Sequence, residues 1–591
     1  MAGGTWSKLS LKERPGTYIN WQSDKTNIVG IAERGTAIMP LLGHNYGPAG
    51  EFITLENSSP DAQYAKLGYS VYEAPMLLVK EMFKSAKTVI LYIPAQGDRA
   101  SASVSLPYPE TDMSLAVNAA VTAAIGAKPD LTGCTVSYNP GARKLTVNLT
   151  GPVSGVKNTG IFVAMGSLID EGYTITIDGK TISGLADFQK TQSYKRLTTL
   201  IEGGEINIIA TVSKDGDTER YTAAVAYPSA VSALAATEMS DESTLIGRAM
   251  YGGERGNDLS FDCAANEDGG YDVTVYLDNA AVETFEGLNT VGELMAAGST
   301  WIAFKGGADM PLSDFSAISL EGGTNGDVNT VDVTKFLDAS EAVHWNTMAF
   351  PIDSKENSSL LTAAVSKIKY LRNDVGKYRK LVVSNYAADF EGVINVCNGY
   401  VLSDGTVVDA VKATAWVAGA DAGADCVTSN TYKPVEDAAD IYGLLTHTEA
   451  VAAIKAGKLF FSFNEENEVV VEYDINSLTS YGGTDKKGKN WRKNRVLRVM
   501  DSFGESLQLN FPPNRFDNDP DGWNIMEGVG KSILKIFGQK SDGGIGALKN
   551  IDFDNDFLVD REKSEDDETF YDVYIQPVDS SEKLYFTVTT H

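Results

Sequence analysis

The run Thr88-Val89-Ile90-Leu91-Tyr92-Ile93, closed by Pro94, is the stretch that decides the fold. Six successive residues without a charge or a turn former predict a strand that is buried on both faces, as in a parallel sheet flanked by helices. Just before it, residues 74–86 repeat apolar side chains near a 3.6-residue period, which predicts a helix. Together they predict an α/β layer in this part of the chain.

The same alternation of elements returns after residue 330. Helices are predicted at 359–372, 411–419 and 448–456, and strands at 380–384, 393–396, 459–463 and 469–473. We therefore expect one α/β domain in two halves, 26–100 and 330–475. The residues between the halves would then be inserted at a surface loop.

The region between the halves has another pattern. Short alternating runs meet at Asp178-Gly179, Asp215-Gly216 and Asp278-Asn279, and such steps are typical of hairpins because these residues tolerate positive φ. This predicts two β-rich domains, 101–243 and 244–329. A further domain with helices is expected over 476–569. The predicted fold class is thus multidomain, α/β and α+β, with a split α/β core, inserted β-rich domains, and extended arms at 1–25 and 570–591.

Composition excludes several classes of protein. The 591 residues carry a formal net charge of −29 and are 43% apolar, which excludes a natively unfolded chain and argues against a protein that coats nucleic acid. The four cysteines form no CxxC pair, which favours reduced thiols over disulfides or a zinc site. With no signal-peptide pattern and no apolar run long enough to span a bilayer, we expect a protein made in a cytoplasm, without membrane insertion.

Several segments imitate catalytic or binding motifs. Gly528-Val529-Gly530-Lys531-Ser532 resembles the end of a phosphate loop, but Ile525 stands where the first glycine is required. Residues 517–522 resemble a calcium loop whose twelfth position, Gly528, lacks the required acid, and residues 552–556 form a similar acidic comb without the glycine. No histidine stands in a metal or triad motif. We expect no catalytic residue, no cofactor and no metal site.

The strongest local anomaly is a basic stretch. Residues 486–500, KKGKNWRKNRVLRVM, hold seven basic residues and no acid, so the other 576 residues carry −36. A helical pattern over 491–503 places the apolar residues on one side and the charges elsewhere. This contrast predicts a docking surface for an acidic partner rather than a solvated helix face. Its residues are Lys486, Lys487, Lys489, Arg492, Lys493, Arg495 and Arg498.

Nucleic acid is a possible acidic partner of this stretch. A single-strand channel, however, interleaves aromatic side chains with the charges, and this stretch does not. We therefore expect an acidic protein as the partner and no direct contact with nucleic acid.

Both ends of the chain contain strand-like segments where most proteins fray. Such segments suit addition to the sheet edge of a neighbouring chain, although pairing within the chain fits the pattern equally well. The candidate residues are Tyr18, Ile19, Asn20 and Trp21 near the start, and Lys583, Leu584, Tyr585, Phe586, Thr587 and Val588 near the end.

Six motifs in one order connect these features to a known family. They are GGTW at 3–6 with RPGTYIN at 14–20, GIAERG at 30–35 with Met39-Pro40, YGGERGND at 251–258, LEGGTNG at 320–326, NWRKNRVLR at 490–498, and QPVD at 576–579 leading to EKLY at 582–585. In these motifs the chain resembles the contractile phage tail sheath proteins, of the type found in phages and prophages of Gram-positive bacteria. The resemblance covers the chain except about 101–243.

The resemblance implies a structural function. A sheath subunit polymerises as stacked hexameric rings around a tail tube and contracts to drive the tube through the host envelope for genome delivery. It is not an enzyme, and its terminal arms exchange between neighbouring subunits. The basic helix would rest on an acidic tube, and residues 101–243 would decorate the outside or add contacts in the contracted form.

The resemblance also implies partners and a location. The partners are other sheath subunits, the tail tube protein, and the baseplate and tail terminator proteins. The location is the virion tail, after assembly in the cytoplasm of the host bacterium. The sheath of a phage-tail-like bacteriocin or of an injection system without a genome is the alternative, because its sequence requirements are the same.

Overall fold

The computed structural model describes most of the chain. The described residues are 33–106, 108, 110–127, 134–149, 160–201, 203–227, 244–482 and 487–589, together with the backbone of 2–4 and 16–18. The first described strand after residue 18 is Thr36–Pro40.

A seven-stranded sheet, here called the central sheet, contains the apolar strand Thr88–Tyr92. Neighbouring strands are parallel, except that the edge strand Phe52–Glu56 is antiparallel to Thr88–Tyr92. Its order is Lys458–Leu459, Val393–Val396, Lys380–Ser384, Thr347–Ala349, Thr36–Pro40, Thr88–Tyr92 and Phe52–Glu56. Strands from before residue 94 and from after residue 345 therefore lie side by side in one sheet.

Helices cover both faces of the central sheet. Val89 and Leu91 pack in one core with the helices Leu77–Phe83 and Ala413–Gly423, whereas Ile90 packs in a second core with helices from 330–373. Alternate residues of one strand thus enter two cores, which explains the unbroken apolar run. The remaining helices of the layer are Thr330–Ala339, Ser358–Asn373 and His447–Lys455.

One close helix contact depends on glycine. A Cβ added to Gly419 would lie 2.3 Å from the carbonyl oxygen of Met82, so the helix Ala413–Gly423 can approach the helix Leu77–Phe83 only without a side chain there.

The chain between residues 100 and 330 forms three further sheets. A six-stranded sheet is covered on one face by the helices Asp112–Gly126 and Gly160–Asp170, and its order is Lys180–Ile182, Thr174–Ile177, Gly204–Lys214, Asp217–Tyr227, Lys144–Leu149 and Cys134–Asn139. A four-stranded sheet has the order Ala280–Leu288, Tyr271–Leu277, Leu259–Ala265 and Phe315–Ser319. The third consists of Ile302–Lys305, Thr244–Ala249 and Ser101–Ser105, so it crosses the predicted boundary at residue 243.

The hairpin predictions are confirmed. Asp178, Asp215 and Asp278 have φ of 49°, 56° and 51°, in the left-handed region that the turn residues were expected to adopt. The short helices of this region are Leu185–Phe188, Gln192–Thr198 and Val291–Ala297. Mixed helix and strand content in several sheets confirms the multidomain α+β class.

The last part of the chain is built on two long helices. Asn494–Asn510 and Pro520–Phe537 pack with the strand pair Phe557–Val559 and Tyr571–Val573 in one core. Smaller sheets are formed by Val407–Val408, Gly399–Leu402 and Ala438–Tyr442, and by Phe461–Phe463 with Val469–Val471. Near the start of the chain, Ala2–Gly4 pairs in parallel with Gly16–Tyr18. Within the described residues, no helix is both long and apolar enough to cross a membrane.

Candidate assembly interface

The basic stretch begins at a surface loop. Lys487 pairs with Glu391 at 2.8 Å and is only partly exposed, whereas Lys489 is exposed. Lys486 lies outside the described residues. Among the described residues, this end of the stretch therefore presents one exposed basic side chain, that of Lys489.

The other end of the stretch is buried, which corrects the prediction of an outward basic face. Arg498 is completely buried and holds Asp421 at 2.5 Å and Asp474 at 2.8 Å. Asp421 also accepts from Lys380 at 3.1 Å and from the Thr347 hydroxyl at 2.8 Å. We call these five residues the buried charge cluster.

The charges of this cluster depend on one another. Burial opposes ionisation of Asp421, yet the nearby Lys380, Arg498 and Arg34 hold the pKa of its carboxyl well below the ordinary value. Burial lowers the pKa of Lys380 to about 8, although Asp421 opposes that change. Burial also disfavours the charged form of Arg498, but Asp474 and Asp421 raise its pKa above the ordinary range. The cluster is therefore an internal ion-pair network.

Two further ion pairs bind the helix Asn494–Asn510 to the central domain. Asp501 pairs with Arg372 at 2.7 Å, and Glu505 pairs with Arg379 at 3.0 Å. Positions 498, 501 and 505 follow each other on one face of the helix, and that face points into the protein. The sequence showed the amphipathic pattern but not that oppositely charged residues from distant segments would cover the polar side of the helix.

Arg492 is also buried. Its guanidinium donates to the carbonyl oxygen of Ile454 at 2.5 Å and lies 6.0 Å from the ring centre of Tyr473. Burial, together with this bond, excludes Arg492 from an exposed docking surface in this conformation.

The middle of the basic stretch contacts the end of the chain. Lys493 is buried and its ammonium contacts the carboxylate of Glu582, and it also lies 3.4 Å from Asp579. Arg495 donates to the Ser580 hydroxyl at 3.0 Å. These two basic residues therefore hold residues 579–582 against the protein.

The segment after this contact is the predicted C-terminal strand, residues 583–589, which we call the C-terminal arm. Its large apolar side chains are exposed: Leu584 by 64%, Tyr585 by 91%, Phe586 by 81% and Val588 by 85%. Within the part of the chain that the structure describes, the arm pairs with no strand. Among the described residues, the intrachain pairing that the sequence left as one of two possibilities is therefore not seen.

The N-terminal candidate residues are only partly described. Tyr18 ends a short strand and lies opposite Gly4, as expected for a strand-like segment. Ile19, Asn20 and Trp21 lie outside the described residues.

The segments that imitate binding motifs have structural roles. Residues 528–532 lie inside the helix Pro520–Phe537. Asp519 caps that helix by accepting from the Gly522 amide at 2.7 Å, and Asp552 accepts from the Asp554 amide at 3.0 Å. Among the described residues, no three His, Cys, Asp or Glu side chains are grouped so that they could hold a metal ion.

Comparisons with known proteins identify the kind of chain this is. The phage tail sheath protein central domain matches residues 326–477, and the phage tail sheath C-terminal domain matches residues 486–591. The Phage-like element PBSX protein XkdK of Bacillus subtilis is 26% identical over all of this chain and 99% of its own. The tail sheath protein of Clostridium phage phiCD119 is 28% identical over 32% of this chain and 52% of its own.

A solved structure extends the likeness to the fold. The crystal structure of the sheath tail protein from Desulfitobacterium hafniense is 27% identical, with a TM-score of 0.62, over 97% of this chain and 99% of that one. These matches confirm the family predicted from the sequence motifs.

Proposed function

We propose that this chain, a member of the contractile phage tail sheath proteins, is the subunit that polymerises as stacked hexameric rings around a tail tube. Contraction of the polymer would drive the tube through the host envelope and deliver the genome. The observation that carries this proposal is the C-terminal arm, whose four large apolar side chains are in water in the single subunit. Burying such side chains against a second copy would contribute roughly 1.5–3 kcal/mol each.

Strand addition is the way in which the arm would be buried. The pair Phe557–Val559 and Tyr571–Val573 forms a sheet of only two strands in the described chain, so it offers edges to an added strand. Beside it lies a groove of about 260 Å³ lined by Leu507, Phe511 and other apolar residues. We assign this edge and groove to the C-terminal arm of a neighbouring subunit, because the groove and the arm are both apolar and aromatic.

The tube contact is proposed for a smaller surface than the sequence suggested. Lys489 is exposed and Lys487 is half-buried, and both lie at the outer end of the basic stretch. We propose that this end faces an acidic tube protein. Arg492, Lys493 and Arg498 are excluded from such a surface in this conformation because they are buried.

The proposed division of the chain follows the central sheet. Its strands come from residues 36–92 and 347–459, which supports a split core with 101–243 and 244–329 as insertions, apart from Ser101–Ser105. Residues 101–243 would decorate the outside of the polymer. The proposed partners beyond the tube are baseplate and tail terminator proteins. The proposed role of the subunit is mechanical rather than catalytic, and assembly would take place in the cytoplasm of the host.

A sheath without a genome to deliver is the second candidate. One relative that matches the whole chain is named as a protein of a phage-like element rather than of a phage. The mechanics would be the same, so the presence or absence of DNA and a capsid in purified particles separates the two candidates.

The arm provides the test of polymerisation. Deleting residues 583–591, or changing both Tyr585 and Phe586 to Ser, removes the exposed apolar side chains that would contact a neighbouring subunit, so tubes seen by negative-stain electron microscopy should be lost. The melting temperature of the subunit should stay within about 2 °C, because exposed side chains contribute little to folding. Changing the exposed Glu562 and Glu565 to Ser is the matched control and should leave tubes intact. Normal tubes from the arm variants would refute strand exchange.

A further inference from the structure

The C-terminal arm leaves the protein at one firmly bound residue, Glu582. Its carboxylate contacts the ammonium of Lys493 and accepts from the hydroxyls of Ser429 at 3.0 Å and Thr431 at 2.9 Å. The side chain of Glu582 is 9% exposed, although it lies only three residues before Tyr585, whose side chain is 91% exposed. The chain therefore changes from bound to free within three residues.

The residues around Glu582 reinforce this attachment. Asp579 pairs with the same Lys493, and Arg495 donates to Ser580. Lys493 also lies 4.7 Å from the ring centre of Tyr473. A charge-assisted contact in such a buried setting is stronger than one in water, because less solvent competes for the same groups.

The attachment is continuous with the interior of the subunit. Lys493 directly precedes the helix Asn494–Asn510, and the first turns of that helix carry Arg498 into the buried charge cluster. Force on the arm would therefore pass from Glu582 to this helix and from Arg498 to Asp421 in the central domain. No flexible linker intervenes between the arm and the core along this path.

We propose that Glu582 is a positioning residue that fixes the point and the direction in which the arm leaves the subunit. The inference rests on the proposed exchange of the arm with a second copy. Without the attachment, residues 579–582 would join the free segment and let its base move by roughly 13 Å, at about 3.3 Å per residue. A longer free segment lowers the effective concentration of the arm at the neighbour's sheet edge.

Limited trypsin digestion of the isolated full-length subunit tests the attachment without assembly. Trypsin cuts after Lys583 only when the residues on both sides can enter its active site, and the attachment of 579–582 prevents this. The release of residues 584–591 is measured by mass spectrometry. The variant Glu582→Ala should release them about tenfold faster than wild type, as expected for loss of a charged hydrogen-bonded contact. Glu582→Gln should give an intermediate rate, because its amide oxygen still accepts from Ser429 and Thr431.

Two comparisons make the result specific to this contact. Lys493→Met should speed the cut at least as much as Glu582→Gln, because it also removes the pair with Asp579. The double variant Glu582→Gln/Lys493→Met should be cut more slowly than two independent effects would give, because both changes remove the pair between Lys493 and Glu582. Glu562→Gln, at an exposed acid of the same region, should cut at the wild-type rate. Equal cutting rates for Glu582→Ala and wild type, or additive effects in the double variant, would overturn the proposal.

Assembly then separates this inference from the proposed function. We expect Glu582→Ala to form tubes about tenfold more slowly than wild type, while deletion of residues 583–591 forms none. If Glu582→Ala assembles normally and the deletion does not, the positioning role is wrong and arm exchange stands. If both assemble normally, arm exchange itself is wrong.

Discussion

The helix Asn494–Asn510 and the C-terminal arm depart from the usual distribution of side chains in different ways: the helix buries charged residues, and the arm exposes apolar ones. The helix carries Arg498 and Asp501 into the interior, where both are paired with distant residues of the same chain. The arm carries Tyr585 and Phe586 into water, where the described chain offers them no strand. A buried charge is tolerable when its partners are in the chain, and an exposed apolar segment is useful when its partner is another chain.

This contrast separates what holds the subunit together from what joins subunits. Changes in the buried charge cluster should act on folding, and changes in the arm should act on assembly. If the two regions are independent, a change in one should leave the property governed by the other unaltered.

The largest effect on folding is expected at Arg498. Arg498→Met leaves Asp421 and Asp474 short of a cation in a buried site, which should lower the free energy of unfolding by about 3–5 kcal/mol. Urea unfolding of the isolated subunit measures the loss. Arg561→Met, at a half-exposed ion pair, should cost at most about 1 kcal/mol. A loss below about 1 kcal/mol for Arg498→Met would mean that the cluster does not stabilise the fold.

An intermediate effect is expected from acid. The pKa of Asp421 is lower in the folded protein than in the unfolded chain, so the unfolded chain takes up the proton first and stability is lost as the pH falls below about 4. The loss from this one group is at most about 1.4 kcal/mol per pH unit. Asp421→Asn should therefore be less stable at pH 7 but have a shallower dependence between pH 5 and pH 3.

The arm sharpens the acid experiment. Its apolar side chains do not titrate in acid, so contacts made by these side chains should be lost only where the subunit itself unfolds. A pH profile of Asp421→Asn that runs parallel to that of wild type would show that other carboxylates dominate acid unfolding.

The smallest effect is expected at the exposed end of the basic stretch. Lys489→Glu should leave folding and subunit pairing unchanged and weaken binding to a purified tube by a fewfold, because a rim charge contributes modestly to affinity. Cosedimentation of sheath with tube at low salt measures the change, with Lys355→Glu on the central domain as the control. Equal binding by the two variants would remove Lys489 from the tube contact.

The sequence predicted some of the candidate site and missed the rest. The strand-like character of the arm was visible in the sequence, whereas the choice between pairing within the chain and pairing with a neighbour was not. Glu582 gave no signal, since an acid next to a strand-like segment is common. Two residues do signal buried charge in the sequence. Asp421 is the one charged residue of the alanine-rich helix Ala413–Gly423, and Lys380 begins the apolar strand Lys380–Ser384.

Local pattern determined the elements of this protein and much of their arrangement. The unbroken apolar run at Thr88–Tyr92 required a strand covered on both faces, and the Asx-Gly steps required hairpins, because both depend on residues close in sequence. Only the tertiary structure decided where the basic stretch points. Arg498 faces Asp421 across 77 residues of chain, and Lys493 faces Glu582 across 89. Such pairs are set by packing between distant segments of the chain. The sequence pattern therefore predicted an exposed surface for basic residues that are buried in the folded protein.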